Sequence, residues 1–286
     1  MLLVTGATGT TGMEVLKALK ARGAEARALV RDETKAHHLR DLGFEPVTGD
    51  LGDPRTLGPA LEGVERAYLV SPIGPMQSEF EQAFLETAHE AGVKHVVKLS
   101  MIGASPEAPL RFARTHGKVE TALKETGMTW TLLRPTGFMQ NTLAWGSRVL
   151  DGTFYSPVPD ASFSIVDARD VAEVAAVALT EDGHENKAYG LSGPEAVSYR
   201  DQATRVFAAA GREVDVEEIP VETLKRELVR AGVPPWNAEG LTELFELYAG
   251  GGAQMVTSGV KDVLDREPRD IDAFATDHVD SFKEQQ

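Results

Sequence analysis

The chain has 286 residues, of which 42% are hydrophobic and none is cysteine. This length fits one large domain, or a nucleotide-binding domain with a smaller lobe. The missing cysteine excludes disulfides, thiolate nucleophiles and cysteine-ligated metals. The formal net charge of −15 predicts no direct binding to nucleic acid or anionic lipid, because such a surface repels phosphate. No apolar run is long enough for a membrane span, and a first strand at the N-terminus leaves no room for a signal peptide. We therefore expect a cytoplasmic protein.

A glycine-rich turn follows the first predicted strand. Residues 2–4 are apolar, the turn runs from Gly6 to Gly12, and a helical pattern continues to Ala21. Backbone N–H groups approach a pyrophosphate closely where no Cβ intervenes, and a helix N-terminus adds roughly half a positive charge. We predict that this turn binds a dinucleotide through Gly6, Thr8, Gly9, Thr10, Thr11 and Gly12.

An arginine follows the second predicted strand, at a place where proteins that bind NAD usually carry an acidic residue. Arg31 can pair with the 2′-phosphate of NADP, and a hydrogen bond to a charged group contributes roughly 1.5–3 kcal/mol. Arg27 and Lys35 are expected to add positive charge, whereas Asp32 would repel the phosphate if it pointed inward. The sequence therefore predicts NADP(H) in preference to NAD(H). The alternative for Arg31 is a solvated surface side chain.

Strand-like and helix-like segments alternate through the first half of the chain. After the first two strands, further strands are predicted at 44–50, 66–70, 94–100 and 130–134, with helices near 13–22, 33–42, 54–61, 77–91 and 110–126. This alternation is typical of an α/β, Rossmann-like, doubly wound parallel sheet. In such a sheet, ligands bind at the carboxyl ends of the strands.

The pattern changes after Pro135. Residues 135–165 are rich in glycine, proline and aromatic residues, and they predict a loop-rich insert. Later elements are predicted as a strand running into a helix at 165–179, a strand at 188–191, a helix capped by Ser198, a short strand at 214–219, and amphipathic helices at 221–248 and 259–281. We predict a Rossmann-like core at 1–136, which 166–192 rejoins. Residues 137–286 are predicted to supply the insert and a smaller, mostly helical lobe that covers the substrate.

Six motifs follow one another along the chain: the glycine turn, 28–31, 49–50, 99–100, 132–135 and 167–172, with 265–269 near the C-terminus. In this order they resemble the NmrA-like branch of the atypical short-chain dehydrogenases/reductases. That branch includes NADPH-dependent quinone reductases and triphenylmethane-dye reductases. The resemblance implies hydride transfer from NADPH to a quinone or similar conjugated acceptor. It puts Asp50 near the adenine, Ser71 and Pro72 beside the cofactor, and the segment from Pro135 to Phe138 at the nicotinamide.

The helix at 110–126 departs from the pattern of active short-chain dehydrogenases. Those enzymes use a tyrosine and a lysine four residues apart, with a serine after the fifth strand. Here Phe112 and His116 stand at the tyrosine and lysine positions, on one inward face, and Ser100 stands at the serine position. Phenylalanine cannot donate a proton, so ordinary carbonyl reduction loses help worth about 10²–10⁴-fold. Quinones and cationic dyes remain open as acceptors. His116 and Ser100 are the catalytic candidates, and a hydrogen-bonded packing role is the alternative for His116.

The substrate is predicted to be a small-molecule hydride acceptor, and no spacing of His, Asp or Glu suggests a metal. The residues predicted to contact it are Phe112, Phe138, Asn141, Trp145 and Tyr155, with core packing as the alternative for the aromatic ones. The main alternative function is an NmrA-type redox sensor that binds NADP(H) without turning it over. A sugar-nucleotide epimerase would need the missing tyrosine and lysine. The choice between monomer and homodimer stays open.

Overall fold

The computed structural model describes residues 1–145, 149 and 152–283. The chain divides into two compact units. The first comprises Met1–Pro135 and Ala168–Gly190, and the second comprises Thr136–Asp167 and Leu191–Gln286. Within the described residues, no helix combines the length and the apolar character needed to cross a bilayer.

The strands, in chain order, are β1 (Leu2–Val4), β2 (Ala26–Val30), β3 (Glu45–Thr48), β4 (Arg66–Leu69), β5 (His95–Leu99), β6 (Thr129–Pro135), β7 (Gly137–Phe138), β8 (Thr153–Ser156), β9 (Ser162–Val166), β10 (Lys187–Leu191), β11 (Ala196–Ser198) and β12 (Asp215–Glu218). The helices are α1 (Thr10–Ala21), α2 (Glu33–Asp41), α3 (Gly58–Leu61), α4 (Gln77–Glu90), α5 (Arg111–Glu125), α6 (Ala168–Thr180), α7 (Tyr199–Ala209), α8 (Val221–Arg230), α9 (Pro235–Ala249), α10 (Gly259–Leu264) and α11 (Ile271–Asp277). Short 3₁₀ helices lie at Pro54–Thr56, Met139–Ala144 and Val279–Ser281.

A seven-stranded sheet forms the centre of the first unit, in the order β10-β6-β5-β4-β1-β2-β3. The strands from β1 to β6 pair in parallel with their neighbours. The chain adds strands outward from β1 to β3 and then crosses over to build β4, β5 and β6 on the other side. The strand order therefore reverses between β1 and β4, which is where doubly wound sheets bind their ligands. The predicted α/β, Rossmann-like fold is confirmed.

The middle strands of this sheet lie between two layers of helices. Leu69, Val96 and Leu132 are fully buried, and α1 packs against α6. Parallel strands that are covered on both faces are usually apolar, and the buried stretches 67–69, 96–97 and 132–133 fit this rule. Lys98 is an exception, because this charged side chain in β5 is also fully buried.

The second unit contains two small sheets and an aromatic core. Strand β9 pairs antiparallel with β11 and parallel with β7, and β8 pairs in parallel with β12. The loop-rich description of 135–165 was therefore wrong for β7, β8, β9 and the 3₁₀ helix Met139–Ala144. The partner of β8 and the antiparallel partner of β9 lie farther along the chain, and a short strand is recognisable mainly through its partners.

Candidate active site

The glycines of the turn after β1 are glycine for different structural reasons. Gly6 has a φ of +57°, and a Cβ there would lie 2.6 Å from Val70 Cγ1. A Cβ on Gly12 would lie 2.2 Å from the carbonyl oxygen of Gly6. The packing of the turn itself therefore requires both glycines. A Cβ on Gly9 would make one close contact, with that same oxygen at 3.3 Å, and apart from its chain neighbours it would meet no other described atom within 4 Å, so its remaining sides leave room for a ligand.

Helix α1 begins directly after Gly9 with its N-terminal N–H groups available. No side chain caps this end, and the first turn contains no acidic residue. Helix α2, in contrast, is capped by Asp32, whose carboxylate accepts a hydrogen bond from the N–H of Lys35 at 3.0 Å. The available donors and the helix dipole at α1 favour an anion. Together with the space at Gly9, this end fits the diphosphate of a dinucleotide.

Arg31 follows β2 directly and is exposed. Because the carboxylate of Asp32 caps α2, it is already engaged by the backbone. The expectation that Arg27 adds charge at the same place was wrong. Its guanidinium lies 3.3 Å from Glu45 Oε1 and donates to the carbonyl of Glu62 at 2.7 Å. Arg27 is four residues earlier on β2, about 13 Å along the strand, near its other end.

The residues that follow β3 and β4 also lie at the carboxyl edge of the sheet. Asp50 comes two residues after β3, and its Oδ1 accepts a hydrogen bond from the N–H of Gly52 at 2.9 Å. Ser71 is buried, and its hydroxyl donates to Glu81 Oε1 at 2.8 Å, whereas the neighbouring Pro72 is exposed. The Ser71 hydroxyl thus points into the protein. Only the backbone of Ser71 and the ring of Pro72 remain as predicted cofactor contacts at this position.

A buried charge cluster lies behind the carboxyl ends of β4 and β5. It consists of Lys98 from β5, His116 from α5, and Gln77 and Glu81 from α4. The Lys98 and Glu81 side chains are both 0% exposed, and Lys98 Nζ lies 2.8 Å from Glu81 Oε2. The Lys98 ammonium also donates to the carbonyl oxygen of Leu99 and lies 3.2 Å from His116 Nδ1. This cluster was not predicted from the sequence. Its local signal in β5 is a lysine between two buried apolar residues.

The second ring nitrogen of His116 also faces a protein group. Nε2 lies 3.4 Å from Gln77 Nε2, and the side chain is buried. Burial and the adjacent Lys98 ammonium hold the pKa of His116 well below its ordinary value. His116 is therefore neutral at physiological pH. Its surroundings match the packing alternative better than the role of proton donor.

Ser100 is held by residues that the sequence analysis did not select. Its hydroxyl donates to Glu120 Oε1 at 2.5 Å, and Arg134 Nε donates to the same oxygen at 2.9 Å. The hydrogen bond to Glu120 raises the pKa of the Arg134 guanidinium. The loop after β5 is joined to the end of β6 by the N–H of Ile102, which donates to the carbonyl of the buried Pro135 at 2.9 Å. The Ser100 hydroxyl is thus already engaged with Glu120.

The predicted substrate residues have different surroundings. Phe138, in β7, is half-buried, whereas Asn141 is exposed and the Tyr155 side chain is 46% exposed. Trp145 is 7% exposed and packs against Phe154, with ring centroids 4.4 Å apart. The structure therefore gives Trp145 a place in the aromatic core, which was the alternative for it. Phe112, on α5 in the first unit, is buried as well. No group of three or more His, Asp or Glu among the described residues could hold a metal ion.

Comparison with known proteins assigns the family. The model of the NmrA-like family matches residues 1–275. The chain belongs to the NmrA-like family. A relative, the NAD(P)H azoreductase of Xenophilus azovorans, is 39% identical over 99% of both chains.

Two solved structures share the fold of this NmrA-like chain. The NADPH-dependent quinone oxidoreductase of Escherichia coli, crystallised with NADPH, has a TM-score of 0.86 and 27% identity, and the alignment covers 98% of this chain and 99% of that one. The triphenylmethane reductase of Citrobacter sp., crystallised with NADP(H), has a TM-score of 0.83 and 26% identity, with coverage of 96% and 98%. The predicted resemblance is confirmed.

Proposed function

We propose that this NmrA-like protein is a reductase that transfers hydride from NADPH to a quinone or a similar conjugated acceptor. The observation that carries the proposal is the open space at Gly9 beside the uncapped start of α1. Two structural relatives hold NADP(H) in their crystals and act on quinones and triphenylmethane dyes, and a closer sequence relative is an azoreductase. All three kinds of acceptor are conjugated.

The strand order supports one direction for the cofactor. With the diphosphate at α1, the adenosine half would lie toward β2 and β3, where Arg31 would pair with the 2′-phosphate and Asp50 would lie near the adenine. The nicotinamide half would lie toward β4, β5 and β6. The carboxyl end of β6 is three strands from that of β1, about 14 Å, which is within reach of an extended dinucleotide. Ser71, Pro72, Pro135 and Phe138 stay the predicted neighbours of that half.

The residues near β5 explain why the acceptor must need little acid catalysis. Phe112 has no proton to donate, His116 is neutral and enclosed, and the Ser100 hydroxyl is bonded to Glu120. The nicotinamide supplies the hydride when it is bound, and the protein holds the acceptor beside it. The reduced acceptor takes its proton from solvent. A cytoplasmic location stays a prediction, and the choice between monomer and homodimer stays open.

The test combines binding with turnover. Calorimetric titration with NADPH and NADH measures the cofactor preference, and the absorbance of NADPH measures its oxidation in the presence of quinones, azo compounds and triphenylmethane dyes. We expect tight binding of NADPH and turnover of at least one of these classes. Tight binding of NADPH with no turnover of any acceptor would show that the protein is a redox sensor and not a reductase. The described residues near β5, which offer no free acid, are compatible with a sensor as well.

A further inference from the structure

Polar side chains join the carboxyl ends of four neighbouring strands of the first unit, beginning between β1 and β4. The hydroxyl of Thr5, which follows β1, donates to the carbonyl oxygen of Val70 at 2.7 Å and accepts from the N–H of Val70 at 2.8 Å. Thr5 is fully buried. One hydroxyl group therefore fixes both backbone polar groups of the residue that follows β4, directly before Ser71 and Pro72.

The buried charge cluster continues these contacts from β4 to β5. The hydroxyl of Ser71 donates to Glu81 Oε1 at 2.8 Å, and the other oxygen of that carboxylate lies 2.8 Å from Lys98 Nζ. The Lys98 ammonium also donates to the carbonyl oxygen of Leu99, the last residue of β5. The ion pair thus connects the residue after β4 with the backbone at the end of β5.

A second buried carboxylate connects the ends of β5 and β6. Ser100 follows Leu99 and donates to Glu120 Oε1 at 2.5 Å, and Arg134 Nε in β6 donates to the same oxygen at 2.9 Å. The contacts therefore run without a break from the end of β1 to the end of β6. We call the side chains that make them the strand-end network: Thr5, Ser71, Glu81, Lys98, Ser100, Glu120 and Arg134.

The strand-end network lies on one side of the sheet edge. After β2 and β3 the acidic side chains are closer to solvent: Asp32 is exposed and caps α2, and Asp50 is half-buried and accepts from the N–H of Gly52. The network instead follows β1, β4, β5 and β6. These are the strands that would receive the diphosphate and the nicotinamide half of the cofactor.

Stability alone does not explain the charged centre of the strand-end network. Lys98 and Glu81 are both 0% exposed, and Val96, two residues earlier on the same face of β5, belongs to the apolar core. Hydrophobic residues of similar volume are often as stabilising as a buried ion pair, or more so. A hydrogen bond, however, fixes direction as well as distance. The network is therefore suited to holding the strand ends in a precise arrangement.

We propose that the strand-end network positions the backbone that receives the nicotinamide half of NADPH, with Lys98 and Glu81 as its central positioning residues. The inference rests on the proposed function, which gives the cofactor its direction. Both side chains are fully buried and act through the backbone of Ser71 and Leu99. Hydride passes between atoms that must lie about 3–3.5 Å apart, so a displacement of about 1 Å is expected to lower the rate about 10²-fold.

The test is the double variant Lys98→Met with Glu81→Gln, which removes the ion pair and leaves no unpaired charge. We expect kcat with a quinone to fall about 10²-fold, because the nicotinamide is displaced. NADPH affinity should fall as well. Affinity for 2′-phospho-ADP-ribose, which lacks the nicotinamide, should match that of the parent. Kinetics and calorimetric titration measure these results, and urea denaturation shows whether the variant is folded.

Ser71→Ala is a milder variant of the same network, because it removes one hydroxyl and keeps the ion pair. We expect a smaller fall in kcat, again with a loss of affinity for NADPH and none for 2′-phospho-ADP-ribose. If the double variant does not fold, Ser71→Ala provides the same comparison.

Thr131→Val is the matched control, because it removes a buried hydroxyl toward the opposite ends of β5 and β6. That hydroxyl lies 3.0 Å from His95 Nε2 and donates to the carbonyl of His184 at 2.7 Å. We expect lower stability with kcat and both affinities unchanged.

Three results would overturn the inference. They are an unchanged kcat in the folded network variants, equal losses of affinity for NADPH and 2′-phospho-ADP-ribose, and the same fall in kcat in Thr131→Val. A parent protein that binds NADPH but reduces no acceptor would overturn the proposed function, whereas the comparison of the two affinities would still decide the role of the network.

Discussion

The glycine turn after β1 and the buried charge cluster behind β5 differ in how their polar groups are used. At the turn, the N–H groups that begin α1 have no side-chain cap, and the missing Cβ of Gly9 leaves space beside them. In the cluster, the Lys98 ammonium faces Glu81, His116 and a backbone carbonyl, with no solvent exposure. The first arrangement leaves hydrogen-bonding capacity for a ligand, and the second uses it within the protein. Polar groups without a cap therefore indicate a binding site, whereas buried charged groups that contact one another indicate a structural role.

The largest expected effect comes from filling the space at the turn. Gly9→Val should weaken NADPH binding by at least about 10²-fold, because several hydrogen bonds to a charged diphosphate are lost, each worth roughly 1.5–3 kcal/mol. The protein should stay folded, since Gly9 has an extended backbone that valine adopts readily. Calorimetric titration and circular dichroism measure the two results.

Gly12→Ala is the contrasting variant at the same turn. Its Cβ would lie 2.2 Å from the Gly6 carbonyl oxygen, so we expect a loss of stability in addition to a loss of binding. Normal NADPH binding by folded Gly9→Val protein would show that the diphosphate binds elsewhere.

The next effect concerns the buried charge cluster. Lys98→Met leaves the Glu81 carboxylate buried without its cation, and breaking such a pair typically costs about 3–5 kcal/mol of unfolding free energy. Adding Glu81→Gln removes the unpaired charge and should restore much of this loss. Urea denaturation of the single and double variants gives both values.

Lys94→Met is the matched control for the cluster, because Lys94 pairs with Glu65 at 3.8 Å on the surface. Exposed pairs contribute about 0–1 kcal/mol. If Lys98→Met costs no more than Lys94→Met, the cluster does not support the fold as we infer.

A smaller effect is expected at Arg31. Arg31→Ala should weaken NADPH binding about 10- to 100-fold and leave NADH binding nearly unchanged, because only NADPH has the 2′-phosphate. Arg27→Ala is the control, since Arg27 is already bonded to Glu45 and Glu62. Equal affinities of the parent for the two cofactors would remove the basis of this prediction.

The smallest effect is expected from His116. If the cluster only supports the site, His116→Ala should lower kcat with a quinone a few-fold, and the pH–rate profile of the parent should show no step near the ordinary pKa of histidine. The pKa of His116 is lowered, so its side chain stays neutral as the pH falls through 6.5 and no histidine step arises there. A loss of about 10²-fold or more, with a histidine step that disappears in the variant, would make His116 the acid after all.

Local patterns were sufficient to predict the sheet and the glycine turn. Apolar runs that alternate with helical periodicity occur within short windows, and the turn between Gly6 and Gly12 is continuous in sequence. The charge cluster could not be predicted, because Lys98, Glu81 and His116 come from three elements that meet only in the folded chain. The pairing of β8 with β12 likewise has no local signal.

The first unit cannot be completed until late in synthesis, because two of its elements come from a later part of the chain. Strand β6 ends at Pro135, but β10, its outer neighbour in the sheet, begins at Lys187, and α6, which packs on α1, lies between them. Until the ribosome has passed this point, the nascent sheet carries an uncovered edge and an uncovered apolar helix face, both of which favour misassociation between chains. A fragment that stops at Pro135 keeps both the sheet edge and the helix face exposed. Residues 168–190 are therefore the segment whose emergence completes the first unit.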